Sequence, residues 1–292
     1  VENFTGRLGG QWAADRVQWQ QGATRLDIKA ADFAWSPACL LRMSLCIERL
    51  HAEQISLQLP ASEAAPSDQP LSLPDLKLPL SIELGDVQVG DFQLDGAQQF
   101  SELSLDAHWT AAGLQVDRLH ARRDALVLDL AGTVVPGQQW PLDLSGQLQL
   151  PEVDGKPWQL ALKVKGDLLV SLALSGQSTG YLDGQLAGEL QPLAEHLPAS
   201  LRITSAAFKA GSSLPDTLTL NQLELNAAGD LQAGYQIDGK ASLPAEQGAM
   251  SLLLKGRVDA KGADIQALKV AGSEAQRVTI NGRVDWQEAL SV

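Results

Sequence analysis

Apolar residues, most of them leucine, alternate with polar residues through much of this chain. The stretch LDLSGQLQL, residues Leu142–Leu150, is the longest clear example. Because successive side chains of a strand point to opposite faces, this pattern predicts a sheet with one apolar face and one polar face. Helical spacing is almost absent, and the best helix candidate is Gln191–Leu197, with Pro198 just beyond it. The pattern therefore predicts an all-β protein.

Turns containing glycine recur about every 8 to 12 residues, a spacing typical of mostly antiparallel meanders. We expect roughly eighteen strands from this spacing. Residues 60–79, rich in proline, alanine and serine, interrupt the pattern. Proline lacks the backbone donor that a central strand needs, so this stretch is predicted to be a loop or linker. It would separate an N-terminal β unit, residues 1–59, from an elongated β body, residues 80–292.

A sheet of this length must cover its apolar face, and the sequence offers no set of amphipathic helices for that purpose. A second sheet, closure into a barrel, or a curled sheet whose concave groove holds something else remain possible. A long apolar groove in a protein surface usually belongs to a ligand or partner, and acyl chains would fit it. The residues predicted to line the groove are Leu126, Leu128, Leu130, Leu142, Leu144, Leu148, Leu150, Leu160, Leu162, Val164, Leu168, Val170, Leu172, Leu174, Leu218, Leu220, Leu252 and Leu254.

Composition narrows the classes of partner. The net charge is −13 and the apolar fraction is 45%. So acidic a chain has no basic surface with which to replace the counterions around nucleic-acid phosphates. No apolar run approaches the roughly 18 residues of a membrane-spanning helix, and no signal peptide is visible. Since structured sequence begins directly at Val1, we expect the chain to be a segment of a longer protein.

Candidate chemistry is sparse. The four histidines belong to no recognisable ligand motif, and the carboxylates fall on the polar phase of strands or in turns. The glycines of Gly180–Gly188 lie in an alternating strand, where they cannot form a phosphate-binding loop before a helix. We therefore predict no catalytic residue, no metal site and no cofactor. The scattered tryptophans suit sheet ends and edges, or a carbohydrate-binding platform if they cluster: Trp12, Trp19, Trp35, Trp109, Trp140, Trp158 and Trp286.

The segment Phe33–Leu41, followed by Leu45–Leu50 and Ile55–Leu57, resembles the N-terminal part of the TamB family. Gly6–Trp12 and Leu26–Ala30 fit the same pattern, and Gly184–Leu190 is similar to a motif of the wider AsmA-like group. The resemblance implies a long curled sheet, the β-taco, with an apolar groove. It also implies a periplasmic protein anchored in the inner membrane of a Gram-negative bacterium. An outer-membrane partner resembling TamA would bind a region outside this segment.

The resemblance further implies a non-enzymatic bridge that carries phospholipids between the two membranes. The alternative is a scaffold or chaperone-like module for outer-membrane protein assembly, and a carbohydrate-binding or adhesin-like protein is a third reading. In an oxidising periplasm, Cys39 and Cys46 could form a disulfide that closes a hairpin-like corner. Two free, half-buried thiols are the alternative. Their spacing is not that of a redox CxxC motif.

Overall fold

The computed structural model describes residues 1–59, 79–137, 139–211, 213–245, 248–273 and 276–285. The chain forms two compact units, Val1–Pro151 and Glu152–Val292. Alternating residues of the first unit form ten strands: β1 Thr5–Gly6, β2 Gln11–Gln21, β3 Thr24–Ser36, β4 Ser44–Gln58, β5 Ser81–Leu94, β6 Ala97–Phe100, β7 Glu102–Thr110, β8 Gly113–Arg123, β9 Leu126–Val134 and β10 Pro141–Val153.

Strands of the first unit pair with their neighbours in chain order, and almost every pairing is antiparallel. The short β6 lies beside β5, which also pairs with β7. The exception is a parallel pair, β4 with β5, in which Ser44 lies opposite Ser81 and Leu57 opposite Leu94. A parallel pair needs a long crossover connection, which residues 59–80 supply. The predicted linker lies, except for Pro79, outside the described residues, and the strands on its two sides are hydrogen-bonded to each other.

The second unit is a purely antiparallel meander in which each strand pairs with the next. Gly-containing or polar turns connect most of its strands. They are β11 Lys156–Asp167, β12 Ser171–Gly180, β13 Gly184–Leu190, β14 Ala199–Phe208, β15 Leu220–Asp230, β16 Gly234–Leu243, β17 Met250–Asp259, β18 Gly262–Ser273 and β19 Gln276–Asp285.

Within the described ranges, no hydrogen-bonded pairing joins the first and last strands of either unit, so neither sheet closes into a barrel. Regular helix is limited there to two short 3₁₀ turns, Pro37–Arg42 and Asp216–Leu218. None of the described helices is long and apolar enough to span a membrane. The predicted all-β, mostly antiparallel fold is confirmed.

The helix predicted at Gln191–Leu197 is wrong. Backbone amides of Ala194 and Leu197 donate to the carbonyls three residues earlier, at 3.3 and 3.1 Å, which makes successive turns. Pro192 and Pro198 lack amide donors, so an α-helical ladder cannot propagate through so short a segment.

Glycines on the apolar side occupy positions where the neighbouring strand leaves no room for a side chain, as a sheet curled toward that side requires. A Cβ added to Gly188 would lie 2.2 Å from the carbonyl oxygen of Ser200 on the next strand, and one added to Gly146 would lie 2.2 Å from that of Asp129. Such contacts require neighbouring backbones to approach more closely than any side chain allows. Similar close approaches, all under 2.5 Å to a neighbouring strand's carbonyl oxygen, occur at Gly132, Gly166, Gly176, Gly180, Gly184 and Gly229.

The corner between β3 and β4 is closed by a disulfide. Cys39 lies in the 3₁₀ turn, Cys46 lies in β4, and their sulfurs are bonded with 5.9 Å between the Cα atoms. Both side chains are buried. Met43, between them, adopts the left-handed conformation with φ of 56°. The pairing agrees with the prediction for the two cysteines.

Replacing both cysteines with serine should lower the free energy of unfolding by about 2.5 kcal/mol, because the unfolded chain regains the entropy of an eight-residue loop. Denaturant titration of the periplasmically expressed protein, read beside its non-reducing mass, measures this. The wild-type mass should be two hydrogens below that of the dithiol. Two thiols that react with an alkylating reagent in denaturant would contradict the bridge. Cytoplasmic expression is not a fair control, because that compartment keeps thiols reduced.

Candidate functional site

The apolar side of the second unit forms a continuous surface, which we call the apolar face. Cross-strand register aligns its side chains into rows that run from β11 to β19. One row consists of Leu162, Gly176, Leu186, Ile203, Leu225, Gly239, Leu254, Leu268 and Ile280. The next row consists of Val164, Leu174, Gly188, Leu201, Ala227, Ile237, Gly256, Ile265 and Gly282. Glycines thus stand among the large side chains in both rows.

The apolar face is not sealed into a core. Among the described leucines only Leu142, Leu172 and Leu243 are buried, and most other buried apolar residues are alanines. Leu162 and its row neighbours are half-buried as far as β18. Exposure rises at β19, where Ile280 is 52% exposed. Solvent, or a flexible apolar ligand, therefore reaches these side chains.

Seven of the predicted lining residues lie on this apolar face: Leu160, Leu162, Val164, Leu172, Leu174, Leu252 and Leu254. The others assigned to this unit lie elsewhere. Leu168 and Val170 belong to the turn after β11, and Leu218 belongs to the 3₁₀ turn before β15. Leu220 begins β15 opposite Phe208.

The remaining predicted residues form a second apolar surface on β9 and β10 of the first unit. Leu148 lies opposite Leu128, and Leu144 lies opposite Gly132. The strand alternation places seven predicted residues on one side there: Leu126, Leu128, Leu130, Leu142, Leu144, Leu148 and Leu150.

The predicted lining set omits eight large members of the two rows: Leu186, Leu201, Ile203, Leu225, Ile237, Ile265, Leu268 and Ile280. Their strands place glycine or alanine in the apolar phase, as in GQLAGEL of β13. That interruption hides the leucine alternation. A search for alternation that counts glycine as apolar would have found them.

An aromatic cluster closes one end of the apolar face. The Tyr181 ring lies 5.4 Å from the rings of both Trp158 and Phe208. Trp158 donates its indole N–H to the Ser178 hydroxyl at 2.9 Å, and that buried hydroxyl donates to the Leu182 carbonyl at 2.6 Å. Because the polar atoms of this cluster are paired, it can border an apolar surface without exposing unpaired donors to it.

The opposite side of the second unit is polar. Glu224 accepts ion pairs from Lys240 at 2.6 Å and Arg202 at 2.7 Å, and the Lys240 hydrogen bond lowers the pKa of Glu224 below its usual value. A shallow hollow of about 530 Å³ lies on this side, lined in part by Gln177 and Gln185. Asp183 and Glu224 also line it, and an acyl chain lying there would have to remove water from their carboxylates.

Cross-strand ion pairs also cover the polar side of the first unit. Arg16 contacts Asp27 with two guanidinium nitrogens, and these hydrogen bonds lower the pKa of Asp27 to about 2. His51 Nε2 and Asp86 Oδ2 are joined by a hydrogen bond of 2.7 Å between β4 and β5. These cross-strand side-chain pairs stabilise adjacent strands.

Across the described part of the chain, no three His, Cys, Asp or Glu side chains lie close enough together to hold a metal ion.

A comparison with protein-family models matches two overlapping stretches, residues 1–73 and 69–292, to the family described as TamB, N-terminal domain. Comparisons with curated proteins and with solved structures find no match.

Proposed function

This chain belongs to the TamB family, and we propose that it is a segment of a periplasmic bridge that carries phospholipids between the inner and outer membranes. In this proposal it performs no covalent chemistry. Acyl chains lie on the apolar face, and head groups remain in water along its margin. The parent protein is anchored in the inner membrane, and an outer-membrane partner of the TamA type binds a region outside this chain.

The observation that carries the proposal is the unsealed apolar face of the second unit. Its rows cross nine strands, yet the large side chains of the Leu162 row stay half-buried from Leu162 to Leu268, and Leu201 in the next row is 37% exposed. Apolar surface left in water costs roughly 25 cal/mol per Å². A soluble sheet keeps such a surface accessible when a ligand covers it for part of the time.

Acyl chains suit this face better than a rigid apolar ligand does. The glycines produce depressions between leucine side chains, and a flexible polymethylene chain can follow that relief. Each methylene group that the face removes from water contributes about 0.8 kcal/mol to the binding free energy, whatever the orientation of the acyl chain. Because the hydrophobic effect is non-directional, a lipid can shift along such a surface without breaking specific contacts.

Purification without detergent, followed by solvent extraction and mass spectrometry, tests this function. We expect phospholipid to co-purify with the chain at a reproducible molar ratio. A charged substitution on the polar side, Ser175→Glu, should leave that ratio unchanged and serves as the control, because Ser175 is exposed and lies opposite Lys163. Protein that carries no phospholipid, and takes none up from vesicles, would rule out the bridge.

A scaffold for outer-membrane protein assembly is the second candidate, and one feature favours it. Within the described residues, β19 has a strand partner on one side only, and Val278, Ile280 and Val284 are each more than half exposed. An edge of this kind can accept another strand by β-augmentation. Saturable binding of unfolded outer-membrane strands, with no lipid extracted, would favour the scaffold over the bridge.

A further inference from the structure

The disulfide-closed corner presents a group of exposed apolar side chains. Leu41 is 90% exposed, Met43 64% and Leu40 45%. Leu8, in the turn between β1 and β2, is 72% exposed. The Trp35 side chain donates to the Leu8 carbonyl at 2.8 Å, and the Trp35 amide donates to the Gly10 carbonyl at 3.2 Å, which places this turn beside the corner. We call these four side chains, with Arg7 and Arg42, the corner surface.

The corner surface is held rigidly although its side chains are in water. The disulfide joins the two sides of the corner, and the Met43 amide donates to the Leu40 carbonyl at 3.0 Å. The Met43 carbonyl in turn accepts a bond from the Ser81 amide at the start of β5, at 2.9 Å. A surface ordered in advance loses little conformational entropy when it binds. An exposed leucine in a mobile loop would not have this property.

Charge indicates what the corner surface binds. The segments 4–14 and 33–47 contain Arg7 and Arg42 and no acidic residue, whereas the whole chain has a net charge of −13. Beneath the corner, Glu83 and Asp117 line a hollow together with Arg42, and the Glu83 carboxylate accepts a hydrogen bond from Ser44 at 3.3 Å. A local cationic site that surrounds exposed leucines on an otherwise acidic protein is complementary to an anionic, apolar surface.

We propose that the corner surface docks onto anionic lipid bilayers. Leu8, Leu41 and Met43 enter the boundary between head groups and acyl chains, while the two guanidinium groups contact lipid phosphates. A protein partner would be expected to meet the acidic remainder of this chain as well, whereas docking onto a bilayer needs only the exposed side chains of the corner. This docking is separate from lipid carriage on the apolar face, and either can exist without the other.

Vesicle sedimentation tests the docking. The full chain is mixed with vesicles of phosphatidylcholine alone or of phosphatidylcholine with phosphatidylglycerol. We expect binding to the anionic vesicles that weakens as salt is added. Leu41→Asp should weaken binding to the vesicles roughly ten- to a hundredfold. The substitution removes a leucine that would enter the bilayer, and it adds a negative charge. The pair Arg7→Gln and Arg42→Gln should weaken binding severalfold and remove most of the salt dependence.

Leu231→Asp is the matched control, because Leu231 is 59% exposed in a turn of the second unit and should not affect binding. All substituted side chains are exposed, so unchanged melting temperatures verify that each variant is folded. Binding that is equal for Leu41→Asp and wild type overturns the proposal, and so does equal binding to both kinds of vesicle. A concentration-dependent dimer that Leu41→Asp dissociates would instead assign the corner to a second copy of this chain. Loss of vesicle binding with phospholipid still co-purifying leaves the bridge function intact.

Discussion

Leu162→Asp should leave the protein folded and reduce the binding of phospholipid to the apolar face. Leu162 is half-buried on an open face, so an aspartate there can still reach water when no ligand is present. An acyl chain passing over it would cover an isolated carboxylate, at a cost of several kcal/mol. That cost makes local occupancy about a hundredfold rarer. The measurement is photo-crosslinking to radiolabelled phospholipid from nearby positions, read beside circular dichroism and thermal melting.

The control positions lie on the polar side of the same strands as the apolar positions that they are compared with. Lys163, next in sequence and exposed, should crosslink weakly, and so should Gln147 of the first unit. Lys163→Asp should have no effect on lipid. Two results would count against the model. One is crosslinking at Lys163 and Gln147 as strong as at Leu162 and Leu148. The other is unfolding of Leu162→Asp, which would mean that the face is a closed core.

Gly188→Ala should destabilise the second unit by about 1–3 kcal/mol, the usual range for steric overpacking. The new methyl group would lie 2.2 Å from the Ser200 carbonyl oxygen and 3.2 Å from the Leu201 Cα. Both are backbone atoms, so β13 and β14 would have to separate and the curl would open locally. Denaturant titration measures the loss, and reduced lipid co-purification should accompany it.

Gly282→Ala provides a matched control. Gly282 occupies the same row of the apolar face on β19, and nothing lies within 4 Å of a Cβ added there. Alanine in a compatible strand position removes conformational freedom from the unfolded chain, so stability should rise slightly, by about 0.4–1 kcal/mol. Equal effects of the two substitutions would show that close approach is not what the glycines provide.

The positions of the predicted residues show which structural features the local alternation can predict and which it cannot. Leu128, Leu148 and Leu162 lie in strands, as the alternation predicts, because alternation of side chains is a property of each strand alone. Leu168 and Val170 continue the same alternation into a turn. Where a strand ends depends on the hydrogen bonds offered by its neighbour, and those are absent from the local pattern.

The state of the two cysteines and the parallel pairing of β4 with β5 depend on contacts that the local sequence pattern does not contain. Sequence left open whether Cys39 and Cys46 were bonded, since seven residues of separation fit either a bridge or two thiols. The 3₁₀ turn and the left-handed Met43 bring their sulfurs together. Likewise, the break at residues 60–79 predicted a divide, yet β4 and β5 pair in parallel around it.

The sequence by itself determined that this is a β protein with one apolar face, because the alternation of apolar and polar residues can be seen within each short stretch of the chain. Only the tertiary structure decided that this face stays open and curled. Gly176 and Gly188 look in the sequence like interruptions of a leucine pattern. They become points of curvature only when register sets them against the carbonyls of Ala161 and Ser200 on neighbouring strands. Such contacts are made between strands, so no single stretch of sequence contains them.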